Sequence, residues 1–100
     1  MQALALHGNR LSGEIPNSIG NLTQLFRIDL QDNRFEGTMS PSLINCQNLQ
    51  HLDLSQNNLN GSIPLQLIGT SSLPLININL SHNSFMGKLP FEVGNLKNIN

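Results

Sequence analysis

An asparagine returns at a fixed beat along this 100-residue chain: Asn9, Asn33 and Asn57 stand 24 residues apart, and Asn83 follows 26 later. Each brings the same escort. Apolar residues stand three and five places before it (Leu6 and Leu4, Leu30 and Ile28, Leu54 and Leu52, Leu80 and Ile78), and eight places before it come Met1, Leu25, Leu49 and Leu75. Two places after it lie Leu11, Phe35, Leu59 and Phe85, and four places after it Gly13, Gly37, Gly61 and Gly87. Self-similarity at this period marks a stacked repeat architecture. The chain divides into one domain of four copies, 1–24, 25–48, 49–74 and 75–98, with 99–100 opening a fifth.

Within each copy the apolar residues that alternate before the asparagine point to one face of a short strand, and the residues between them point to the other. Stacked copies then build a parallel sheet with rungs about 4.8 Å apart. No copy can bury its apolar face alone, so stability is a sum of neighbour interfaces. The turn after the strand strands backbone groups away from water, at about 1–3 kcal/mol for each one left unpaired. An asparagine side chain offers both an acceptor and donors, which predicts a structural ladder along Asn9, Asn33, Asn57 and Asn83.

The rest of each copy carries a second signature, L-x-G-x-I-P, at residues 11–16, 59–64 and, with Phe and Leu substituted, 85–90. Glycine permits backbone angles that other residues resist, and proline suits the end of an extended segment. The apolar runs that follow predict short 3₁₀ or helical turns on the outer face. In the second copy the proline arrives one place later, at Pro41, which predicts a local change of path. The third copy holds two extra residues within 69–74, expected to form a loop between rungs.

The L-x-x-L-x-L-x-x-N-x-L pattern resembles the leucine-rich repeat, and the L-x-G-x-I-P segment resembles its plant extracellular subtype. The resemblance implies an α/β repeat solenoid with a concave parallel sheet, here four uncapped repeats. Residues 43–54, 71–83 and 89–97 are similar to a group of plant receptor-like kinases that includes immune receptors for bacterial peptides. That likeness implies a secreted, glycosylated ectodomain at the extracellular face of the plasma membrane, with a single membrane span and a cytoplasmic serine/threonine kinase behind it. Such a receptor's signal peptide, capping cysteines, span and kinase motifs are not found within these 100 residues, so the chain reads as a slice from the middle of a solenoid.

Composition narrows the chemistry. Only 11% of residues are charged, the net charge is −1 and the pI about 6.2, which gives no electrostatic case for nucleic acid or an anionic membrane. No apolar run reaches the 18 or more residues of a spanning helix. The lone cysteine, Cys46, takes the slot that Leu22 and Leu96 hold in their copies, and so reads as a small buried hydrophobe.

Outward strand positions form columns on the concave face: Ala3, Arg27, His51 and Asn77; then Ala5, Asp29, Asp53 and Asn79; then His7, Gln31, Ser55 and Ser81. The candidate ligand-binding residues are Arg27, Asp29, Gln31, His51, Asp53, Ser55, Asn77 and Asn79, a face suited to an extended peptide. Asp29 and Asp53, on neighbouring rungs about 5 Å apart, match a retaining glycosidase's carboxyl spacing. An open polar sheet, however, supplies no desolvation to raise either pKa, so no catalytic residue is expected. His7, His51 and His82 fall on different rungs and in different columns, without the convergence a metal needs. No cofactor is implied. Sequons at Asn21, Asn60 and Asn79 are possible glycosylation sites if the chain is secreted.

The leading expectation is a protein- or peptide-binding module from a receptor-like kinase ectodomain in defence or signalling, with a peptide or protein ligand and a co-receptor as partners. Alternatives are a freestanding leucine-rich repeat scaffold or inhibitor, and a non-functional truncated copy whose raw apolar ends self-associate.

Overall fold

The computed structural model describes residues 2–64, Leu67, 73–86 and, for the backbone alone, 98–99. Two parallel sheets run the length of the stack. The first contains β1 (Gln2–Ala5), β3 (Leu25–Asp29), β5 (His51–Asp53), β7 (Asn77–Asn79) and β9 (Asn98–Ile99), in the order β1-β3-β5-β7-β9. The second contains β2 (Ser12–Glu14), β4 (Arg34–Thr38), β6 (Asn58–Ser62) and β8 (Ser84–Met86), in that order. Two 3₁₀ turns, η1 (Asn17–Asn21) and η2 (Pro41–Asn45), complete the first two copies on the outer side. The loop predicted within 69–74 lies for the most part outside the described residues.

The first sheet keeps step with the repeat. Ala3 pairs with Arg27, Arg27 with His51, and His51 with Asn77. The second sheet is built from the segment that the sequence marks only as extended, and its register differs. Gly13 pairs with Phe35, Gly37 with Leu59 and Gly61 with Phe85, so each rung is offset by two residues from its repeat equivalent. Gly37 and Gly61 hold φ of +81° and +76°, where a side chain is strained. A Cβ on Gly61 would lie 2.8 Å from Thr38 Cγ2.

Between the sheets lies the core that the alternation demands. Ile28, Leu30, Leu49, Leu52, Leu54, Leu59 and Ile78 are all buried, as is Cys46 at 0% exposure. Burying a side chain of this size is worth about 1.5–3 kcal/mol. Phe35 fills the Leu11 and Leu59 slot.

Asparagine side chains close each turn. Asn57 Oδ1 accepts from the Phe35 amide of the preceding rung at 3.0 Å. Its Nδ2 donates to the carbonyls of Leu30, Leu54 and Ser55 at 3.0–3.1 Å. Asn33 makes the same set with Leu11, Leu6, Leu30 and Gln31, and Asn83 with Leu59, Leu54, Leu80 and Ser81. Among the described residues Asn9 bonds only within its own turn, to the Leu6 and His7 carbonyls. The residue just before each asparagine is left-handed: Gly8, Asp32, Gln56 and His82 have φ between +55° and +71°.

The change of path expected at Pro41 does not occur. η1 and η2 begin at equivalent positions. Ser40, standing where the first copy has Pro16, adopts φ −68° and ψ 123° against −72° and 147° for the proline. Ser40 Oγ accepts from the Ser42 amide as an N-cap, while Pro41 occupies the first helical position, where its fixed φ and missing N–H cost nothing. The late proline changes the cap chemistry and leaves the path intact.

Candidate functional site

The concave face of the first sheet is laid out by pairing. Arg27, His51 and Asn77 are consecutive partners, and so are Asp29, Asp53 and Asn79. Ile28, Leu52 and Ile78, which alternate with them, point into the core. The six polar residues surround a shallow hollow of about 280 Å³ whose floor includes Leu52 and Ile78.

Most of the polar groups here are already engaged. Arg27 Nε donates to Asp29 Oδ2 at 2.9 Å, an ion pair with the guanidinium half exposed and the carboxylate largely covered. Asn77 Nδ2 lies 2.6 Å from His51 Nδ1, within hydrogen-bond distance. Asp53 Oδ1 accepts from the Ser55 amide at 3.0 Å and its hydroxyl at 2.6 Å. Asn79 Oδ1 accepts from Ser81 in the same way, at 3.1 and 2.7 Å.

One residue of the third column, Ser55, does not stand on the open face, while Gln31 is half-buried like Asp29 and Asp53. Ser55 is 6% exposed and its hydroxyl is spent on Asp53. Gln31 Oε1 is buried without a partner. The strand alternation that placed Ser55 outward stops at Asp53, where β5 ends. Alternation also gives no hint of Phe26, whose ring meets the His51 ring edge-on at 6.3 Å between centroids; the sign, in retrospect, is an aromatic residue directly preceding the first outward position. Of the sequons, Asn21 and Asn60 are exposed, whereas Asn79 is half-buried and bonded within its own triplet.

A second hollow, of about 410 Å³ and mainly apolar, lies at the β1 end among Leu4, Leu6, Ile15, Ile19, Leu22 and Phe35. Leu6, Leu11 and Leu22 are about 40% exposed there, while their counterparts Leu30, Phe35 and Cys46 are buried.

Rungs of this kind, two parallel sheets and an asparagine bonded into every turn, meet a known pattern. The Leucine Rich Repeat family matches residues 1–22, 48–69 and 74–96. The chain belongs to the leucine-rich repeat family. Plant receptor domains are among its solved likenesses. The leucine-rich repeat ectodomain of the receptor kinase SOBIR1 from Arabidopsis thaliana is 31% identical with a TM-score of 0.84, over 96% of this chain and 53% of that one. The Arabidopsis receptor kinase HAESA, solved with the peptide hormone IDA and the co-receptor SERK1, is 41% identical with a TM-score of 0.82, over 97% of this chain and 16% of that one. In the BIR3–SERK2 complex, also from Arabidopsis, the match is 34% identical with a TM-score of 0.83, over 99% and 56%. No curated protein matches the chain. These leucine-rich repeats thus span about half of SOBIR1's ectodomain and about a sixth of HAESA's. What they match is the non-catalytic ectodomain of a receptor kinase. Among the described residues no helix is long and apolar enough to cross a membrane.

Proposed function

We propose that this leucine-rich repeat chain is a binding module, part of a plant receptor kinase ectodomain, that docks an extended peptide along its concave sheet. The observation that carries this reading is the hollow on that face, with part-exposed donors and acceptors aligned rung by rung above a rigid apolar core. Arg27, Asp29, Gln31, His51, Asp53, Asn77 and Asn79 make the contacts, and Ser55 holds Asp53 from beneath. Peptide and co-receptor complexes among its structural relatives support the same use here, in defence or developmental signalling, at the outer face of the plasma membrane. A glycan at Asn21 or Asn60 would leave the hollow open, and one at Asn79 would stand on it. The apolar β1 end supports association between copies as a competing event.

Selection of an extended-peptide library on the 100-residue protein tests this directly. Selected peptides are expected to slow amide exchange in β3, β5 and β7, and to lose binding when Arg27 and Asn77 are both replaced by alanine. Peptides that bind the double variant equally well would overturn the reading.

A further inference from the structure

We propose that the hollow receives a cationic side chain, arginine or lysine, from a peptide on the concave face, and that Asp53 is the group that binds it. This rests on the peptide-binding reading above and adds the chemistry of the ligand. The argument is one of charge left over after folding has been satisfied. Asp53 and Asn79 occupy paired positions on neighbouring rungs and do the same structural task. Each gives its Oδ1 to the amide and hydroxyl of the serine two residues on, at nearly the same distances. An uncharged amide therefore suffices for the turn, and the charge on Asp53 is surplus to the fold.

That charge is also unmatched. Arg27, the cation of the hollow, is bound by Asp29 through Nε, and the His51 ring is engaged with Asn77. Among the described residues Asp53 Oδ2 makes no hydrogen bond and Asp53 no ion pair. Asp29, already paired with Arg27, is its partner on one side and the uncharged Asn79 on the other, so Asp53 carries the unpaired charge of the hollow. Charge-assisted contacts of this type are stronger than neutral ones, and within a part-buried hollow they are screened less than on open surface.

The test uses the 100-residue protein and four Gly/Ser peptides of equal length carrying a central arginine, lysine, citrulline or glutamate. Binding is read from amide shifts of His51, Asp53, Asn77 and Asn79. The arginine and lysine peptides are expected to bind at least tenfold more tightly than the citrulline peptide, the neutral isostere of arginine. Asp53→Asn is expected to erase that preference while melting like the parent, as the Asn79 rung already shows the amide in place. The wild-type comparison needs no variant, so a poorly folded Asp53→Asn protein would not shelter the proposal. Equal binding of arginine and citrulline, or a preference kept in Asp53→Asn, overturns it. Equal shifts from all four peptides would do so while leaving peptide binding on this face intact; no shift from any of them would overturn both.

Discussion

Asn57 and Asn9 hold the same place in the repeat and carry very different weight. Removing the Asn57 amide would orphan the buried Phe35 N–H, at about 1–3 kcal/mol, and take one of two donors from each of the Leu30, Leu54 and Ser55 carbonyls, which keep Asn33, Asn83 and the Asp32 amide. Asn9 is exposed and, among the described residues, bonds only to its own turn, where water can replace it. Asn57→Ala is expected to lower the unfolding free energy by several-fold more than Asn9→Ala in paired denaturant titrations. Equal losses would mean that the inter-rung bonds contribute little. Cys46 gives a second prediction at this scale. Burial raises its thiol pKa above the ordinary 9.0, so the folded state holds the proton more tightly than the unfolded chain. The stability this contributes is whole below about pH 9 and falls as pH rises past the unfolded value. Cys46→Ala should lose that alkaline decline, and the native thiol should resist aromatic disulfide reagents until the protein unfolds.

At the scale of the elements, the close contacts differ in what they tolerate. A Cβ on Gly20 would fall 2.6 Å from the Ser42 carbonyl oxygen, where η1 meets η2. On Gly61 it would strike Thr38 from an already left-handed backbone; on Gly13 it meets open space. Gly20→Ala and Gly61→Ala are therefore expected to lower the melting temperature well beyond Gly13→Ala, which bears only the backbone cost of about 1–2 kcal/mol. Equal shifts in thermal scans would contradict this. Much of this layer is legible in the residues themselves. Period-two leucines declare the first sheet and its outward columns, because alternation has one geometric meaning. The second sheet is not legible, since L-x-G-x-I-P shows an extended backbone but not its partner, and the two-residue offset of Gly13 against Phe35 has no counterpart in the repeat. Ser55 shows the limit for the site: alternation predicts exposure, and only the end of β5 at Asp53 reveals that the chain has already turned inward. The ion pair of Arg27 with Asp29, on one strand, was hidden because alternation gives the face a side chain occupies and not its rotamer.

Seen as a whole molecule, the stack has no long-range centre; each rung is held by its neighbours. Leu30 is closed in on both sides, whereas Leu6, in the same slot one rung earlier, is 38% exposed. Leu30→Ala should cost about 2–5 kcal/mol and Leu6→Ala markedly less, measured by chemical denaturation. A matching cost at both positions would show that the β1 end is covered in solution.

The registers of the two sheets carry a further consequence. The third copy is two residues longer than the others, yet His51 still pairs with Asn77 and Gly61 still meets Phe85, as though nothing had been inserted. Each rung sets its own alignment through its asparagine and its glycine, without reference to the length of chain between. A gene built of such units can gain, lose or lengthen one by unequal recombination and still encode a continuous spine. Diversification of the concave surface is thereby uncoupled from the survival of the fold.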